Sequence, residues 1–230
     1  MIKPKAVIYH FTDGSDKRPI VYETQLKVLG EFAESKGFEI ADVFCDKSLL
    51  RCERHEFDRL QNCCEQYDAL IVKDFYHISK NTKKCMDILK EFREKGISVF
   101  SVENGNFIFE EEPFDKPLRV ATYNCRFGEQ NQLKQIVTVQ NDTMKLFAKM
   151  KTNWSIKDQF FDESLHQNDG EQINLKRLIE NKEQYDLLLV QNLNDVHWRT
   201  ANFCKVREAL QLDIYSLQDG FLKYRREKSI

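Results

Sequence analysis

Apolar and polar positions alternate along this chain in two rhythms that take turns. Lys5-Ala6-Val7-Ile8-Tyr9 is a short apolar run with strand character, closed by a polar loop from His10 to Arg18. From Ile20 to Lys36 the apolar positions Tyr22, Leu26, Val28 or Leu29, Phe32 and Ala33 recur at three and four, which predicts a helix, and Gly37 is a fitting stop. Phe38 to Phe44 alternates as a strand, Cys45 to Arg54 reads as loop, and Phe57, Leu60 and Cys64 share one side of a short helix ending at Gln66. Ala69-Leu70-Ile71-Val72 then predicts a buried strand, running through a turn into a helix over Thr82 to Lys95 whose inner face is Cys85, Ile88, Leu89 and Phe92. Gly96 ends that helix, Ile97 to Val102 is a further strand, and Glu103-Asn104-Gly105 a turn. Strands alternating with helices at these lengths predict βαβ units and a mainly parallel sheet flanked by helices. In such a sheet the polar segment after a strand, here Lys73 to Asn81, is the usual place for a site.

The rhythm breaks and then restarts. Residues 107–117 carry an acidic run with Pro113 and Pro117, half of the four prolines in the chain, and read as a linker. Beyond it, Leu118 to Asn124 resembles Lys5 to His10. Tyr123 answers Tyr9, Phe160-Phe161-Asp162 answers Phe44-Cys45-Asp46, Tyr185-Asp186 answers Tyr67-Asp68, and Ser216 to Gly220 answers Ser101 to Gly105. The offsets stay between 114 and 118 positions and the matches keep one order, the signature of a tandem repeat. The expected organisation is a first domain over 1–106, a linker over 107–117, a second copy over 118–222 and a basic tail over 223–230.

Bulk properties exclude more than they assign. The 230 residues suffice for two domains, with 41% hydrophobic and 31% charged residues. A net charge of −2 gives no global basic field for nucleic acid, although it leaves room for a local patch. No apolar run approaches a signal peptide or a membrane span, so a cytoplasmic protein without a membrane partner is expected. Seven irregularly spaced cysteines suit a reducing compartment, and without a CxxC or paired-histidine spacing neither a metal nor a cofactor is implied.

The ordered strings of residues 1–106 resemble the catalytic domain of serine recombinases, the resolvase and invertase family. The likeness rests on Val7-Ile8-Tyr9 with its polar loop, Thr24 to Leu29 in the first helix, Phe44-Cys45-Asp46 followed by Arg54-His55-Glu56-Phe57, Leu70 to Asn81, and Gly96 to Gly105. The resemblance implies two tandem resolvase-like α/β domains, the second more divergent. It also implies a chemistry in which a serine attacks a DNA phosphodiester while arginines neutralise the phosphate oxygens.

This sequence departs from the family where that chemistry is done. The family pattern Tyr-x-Arg-x-Ser falls on Tyr9, His10, Phe11, Thr12 and Asp13, so both the arginine and the nucleophile are missing. In the second copy the same two places hold Cys125 and Phe127. The second arginine pair becomes His77 and Lys80, then Asp195 and Trp198. Histidine is mostly neutral at pH 7 and lysine is a point charge, so bidentate clamping is lost. Arg54 remains at a family arginine's place, with Gln172 answering it in the second copy, and Asp46 and Asp162 are kept. Ser15, two residues past the nucleophile place, is the remaining candidate nucleophile.

Each of these has a plainer reading beside the functional one. Arg54 is either a leftover phosphate contact or a salt-bridged loop group. His77 and Lys80 are either an anion site at a helix start or a solvated polar turn. Trp198 beside Arg199 is either a partner-binding hot spot or a ring tucked under a helix. Asp46 and Asp162 suit a loop cap better than a base. Three functions follow. The favoured one is a catalytically degenerate, non-enzymatic partner of a recombinase or of itself. The alternatives are a divergent recombinase or nuclease using Ser15 with Arg54, His77 and Lys80, and a DNA-binding module without chemistry.

Overall fold

The computed structural model describes residues 3–12, 19–47, 54–110, 116–127, 130–164 and 172–224. The chain divides into two compact units, Met1–Lys80 with Lys84–Asn106, and Asn81–Lys83 with Phe107–Ile230. Both are α/β.

In the first unit the elements are β1 (Lys5–Thr12), α1 (Pro19–Ser35), β2 (Glu39–Lys47), α2 (His55–Cys63), β3 (Ala69–Val72), α3 (Thr82–Glu94, its first two residues counted with the second unit), β4 (Ser98–Ser101) and β5 (Gly105–Asn106). The sheet order is β2-β1-β3-β4-β5, with all pairs parallel except the β4–β5 hairpin. All four residues of β3 are buried, as expected for a central parallel strand covered on both faces. On one face Ala6, Ile8, Ala69 and Ile71 pack against Leu29 and Ala33 of α1.

The second unit contains β6 (Ile108–Glu110), β7 (Leu118–Phe127), α4 (Gln130–Met150), β8 (Trp154–Ser164), α5 (Ile173–Glu180), β9 (Leu187–Val190), α6 (Thr200–Leu210), β10 (Asp213–Ser216) and β11 (Gly220–Lys223). Its sheet runs β6-β11-β10-β9-β7-β8, and only the β10–β11 and β11–β6 pairs are antiparallel. The core on one face joins Val120, Leu187 and Leu189 to Met144 and Ala148 of α4.

The stretch 107–117, expected as a linker, is in part sheet. Ile108–Glu110 pairs with β11, Phe107 is buried, and Lys223 Nζ meets Glu110 at 2.8 Å across the strands. Three residues give a strand too short for a readable period-two signal, and the adjoining acidic, proline-bearing run hid it. At the other end Lys223, expected to open the basic tail, closes β11, while 225–230 lie outside the described residues.

The two units share local details. A register irregularity falls between Ala6 and Val7 on β1 and between Val120 and Ala121 on β7. The Asp68 carboxylate accepts from Lys5 N, as Asp186 does from Arg119 N. Gly96 leaves α3 at φ 79°, and Gln211 leaves α6 in the same left-handed region at φ 55°. There a side chain carries the strain that glycine avoids.

Candidate functional site

At the carboxyl end of the first sheet, Tyr9 of β1 is wholly buried and donates its hydroxyl to Asp46 Oδ2 of β2 at 3.0 Å. The same carboxylate accepts the first-turn N–H groups of α2, from Glu56 to Oδ1 and from Phe57 to Oδ2, each at 3.0 Å. A helix start leaves such donors without intrahelical partners and attracts negative charge. Asp46 therefore caps α2 from the neighbouring strand.

Arg54, the residue before α2, turns inward. Its Nε and Nη2 donate to the Tyr9 hydroxyl at 3.3 and 3.1 Å, Nη2 also to the carbonyl of His77, and Nη1 to the carbonyl of Ile78. These bonds engage four of the five N–H groups of a guanidinium. The plane rests on Phe57 at 4.2 Å, with Phe11 at 6.0 Å. Arg54 is a tie between β1, α2 and the turn after β3. Burial is the main reason the Tyr9 phenol is pushed far above its ordinary range, against the pull of Arg54.

On the opposite face of β1, His10 is buried with its ring 5.8 Å from that of His77 and 5.6 Å from that of Tyr22. His77 ends a 3-10 turn over Phe75–His77 that Asp74 caps by accepting the His77 N–H at 3.2 Å. Burial, helped by the nearby Lys73 and Arg54 and opposed by Glu103, pushes the His77 imidazole down to about 4. At neutral pH it is uncharged. Lys80 is half-buried, its ammonium 5.1 Å over the Tyr76 ring.

The second unit builds the same corner without the arginine. Tyr123 donates to Asp162 Oδ2 at 3.0 Å, and Asp162 accepts from Asn174 N and Leu175 N at the start of α5, each at 2.9 Å. Gln172 Nε2 donates to the Tyr123 hydroxyl at 3.1 Å and to the Val196 carbonyl at 3.0 Å. An amide thus occupies the guanidinium's place with fewer donors and no charge. Cys125 is buried, and burial pushes its thiol up, which is the opposite of a nucleophile's need. Asp195 is buried and accepts the Asn192 N–H in a reciprocal cap of the turn after β9. Trp198 is half-buried beneath the Arg199 guanidinium, 4.6 Å from it.

The structure brings together Tyr9, Phe11, Asp46, Arg54 and His77, with Lys80 three residues further along the chain. Asp13 and Ser15 lie outside the described residues, as does the Phe127 side chain. Among the described residues no group of three or more His, Cys, Asp or Glu side chains is placed to hold a metal. His10 is the site residue that sequence reasoning passed over. Period-two alternation places it on the face opposite Tyr9, toward α1, and that was the signal available.

Residues 15–122 match the family model described as the resolvase N-terminal domain. The match begins after β1 and ends within β7, so it spans most of the first unit. Among solved structures, the N-terminal catalytic domain of TP901-1 integrase is similar at 22% identity and a TM-score of 0.40, over 44% of this chain and 79% of that one. The C-terminal catalytic domain of ISC1926 TnpA, an IS607-like serine recombinase, is similar at 23% identity and 0.38, over 43% and 69%. A resolvase family site-specific recombinase from Streptococcus pneumoniae follows at 14% identity and 0.40, over 65% and 93%. No curated protein matches the chain. The resolvase likeness expected from the sequence is matched by that family model over residues 15–122. Among the described residues no helix is long and apolar enough to cross a membrane.

Proposed function

We propose that this chain is a pair of tandem, catalytically degenerate recombinase-like domains. It serves as a regulatory or accessory partner in DNA recombination or mobile-element biology and acts through protein contacts. The observation that carries this reading is the fate of the cations. Arg54 is taken up by Tyr9 and two backbone carbonyls. The clamp positions hold a neutral His77 and a half-buried Lys80, a point charge over the Tyr76 ring, in one unit, and a buried Asp195 and a half-buried Trp198 in the other. A phosphate with two anionic oxygens finds no bidentate partner in such a corner, and Asp195 supplies no cation. The tandem arrangement is supported by the Tyr9–Asp46 and Tyr123–Asp162 bonds, by the paired strand irregularities, and by Gln172 standing where Arg54 stands.

The test is incubation of the purified protein with supercoiled plasmid, followed by denaturing electrophoresis for cleaved DNA and protein–DNA adducts. Neither is expected. An adduct present in the wild type and absent in Ser15→Ala would overturn the proposal in favour of a divergent enzyme. The accessory role is tested by tagging the chain in its native host and asking whether a recombinase co-purifies. A DNA-binding role without chemistry predicts affinity that falls steeply with salt, and no binding at about 50 mM salt removes it.

A further inference from the structure

Helix α4 is apolar on two opposite sides. Its inner side, Met144 and Ala148, packs on the second sheet. Its outer side carries Val139, Leu146 and Met150, which are 65%, 62% and 80% exposed. At about 100° per residue these three and Thr143 fall within roughly 60° of arc, and the stripe is about 16 Å long. Thr143 hydrogen-bonds back to the Val139 carbonyl at 2.8 Å, which ties its hydroxyl to the helix backbone.

The first unit shows what this side of the fold looks like when it faces water. Leu29 and Ala33 of α1 pack on the first sheet as Met144 and Ala148 do on the second, each pair 115 positions apart. By that offset Val139, Asp142, Leu146 and Met150 correspond to Thr24, Lys27, Glu31 and Ser35. On α1 these are exposed, with Lys27 and Glu31 paired at 3.8 Å; Val28, opposite Thr143, is the one apolar member. The apolar stripe is therefore particular to α4, and three large apolar side chains aligned on an exposed helix mark a contact surface.

We infer that the outer side of α4 pairs two copies of this chain, with the two helices antiparallel. The flanking charges select the occupant and its direction. Asp142, Lys145 and Lys149 all lie along the same border of the stripe, and Asp142 and Lys145 stand 3.9 Å apart within one helix. A two-fold axis relating antiparallel helices brings like border to like border. With the axis between positions 144 and 145, Val139 meets the partner's Met150, and Thr143 meets the partner's Leu146. Asp142 then falls between the partner's Lys145 and the partner's Lys149. A parallel pair would set this charged border against the other one, where Gln140 and Phe147 offer no charge. An isologous contact of this kind is self-complementary and closed. Three apolar side chains per copy make a contact smaller than the roughly 800 Å² per partner of a standard interface, so a weak, concentration-dependent association is expected.

Sedimentation of the full chain from about 5 to 500 μM at low salt tests this independently of any DNA reaction. A monomer–dimer equilibrium is expected in the wild type. Leu146→Asp should leave a monomer throughout, with unchanged circular dichroism and, at about 5 μM where the wild type is also largely monomeric, an unchanged melting temperature, because the position is exposed. If that variant fails to fold, Val139→Lys and Met150→Glu replace it. Asp142→Lys should weaken the dimer, and adding Lys145→Asp and Lys149→Asp to it should restore the dimer, because the exchanged charges again face each other between copies. A wild type that stays monomeric overturns the inference, and a different protein as occupant would give that result. A dimer untouched by Leu146→Asp overturns it as well. A dimer that Leu146→Asp abolishes but the triple charge exchange does not restore overturns the antiparallel register.

Discussion

Tyr9 donates a hydrogen bond from its phenolic hydroxyl to Asp46 Oδ2 across 3.0 Å in the buried end of the first sheet. The bond joins two strands, and through Asp46 it reaches the first N–H groups of α2. The geometry is that of a structural joint, and the second unit repeats the joint with Tyr123 and Asp162 at the same distance.

Replacing Asp46 by Ala removes the acceptor for one hydroxyl and two helix N–H groups at once. A buried donor left without a partner costs about 1–3 kcal/mol, so Asp46→Ala should destabilise the first unit by roughly 3 kcal/mol. Asp46→Asn keeps an acceptor for the helix and should cost about half as much. Urea unfolding followed by circular dichroism measures both. Equal effects of the two substitutions would show that the charge or the second acceptor oxygen, and not the shape and single acceptor that Asn keeps, sets the role of Asp46.

Arg54 can be tested against its own counterpart. Gln172 satisfies a tyrosine hydroxyl and one carbonyl in the second unit, so Arg54→Gln should keep those two bonds and lose the third partner. A loss of about 1 kcal/mol is expected for Arg54→Gln and about 2–3 kcal/mol for Arg54→Ala, which leaves two carbonyls and the Tyr9 hydroxyl without their donors. Thermal unfolding gives the ranking. A residue that binds phosphate and does not hold the fold would show no stability loss in either variant and would lose DNA affinity in both.

Much of this is readable in the sequence. The period-two and three-to-four rhythms placed β3, α3 and the helix stops at Gly37 and Gly96, because burial on one or both faces imposes those spacings. The pairing of Tyr9 with Tyr123 and of Arg54 with Gln172 was legible as residue offsets. The direction of the Arg54 side chain was not, because a loop arginine can face water or the interior with the same sequence around it. The β6 strand was hidden for a different reason. An edge strand of three residues gains its identity from its partner Gly220–Lys223, more than 100 positions away, and not from its own pattern.

His77 makes the first unit sensitive to acid. His77 is held largely out of water beside His10, with Lys73 and Arg54 adding positive potential, Glu103 opposing them, and Asp74 Oδ2 3.8 Å from its Nδ1. Its folded-state value of about 4 lies below the ordinary value of 6.5, so between those values the unfolded chain binds a proton that the folded chain refuses. Stability therefore rises with pH from about 4 to 6.5, is fully present above 6.5, and is lost as the pH falls. The loss amounts to on the order of 3 kcal/mol over the whole window. Asp74, whose carboxyl burial pushes up, acts in the opposite sense at the bottom of the window, because the folded state takes up its proton first. His77→Gln removes the imidazole titration and leaves Asp74, so the slope of unfolding free energy against pH between 5 and 6 should fall by up to about 1.4 kcal/mol per pH unit. Urea unfolding of wild type and variant at four pH values from 4.5 to 7 measures it. Parallel curves would mean that His77 takes up its proton in the folded chain as readily as in the unfolded one, and the neutral imidazole at the clamp position would have to be given up.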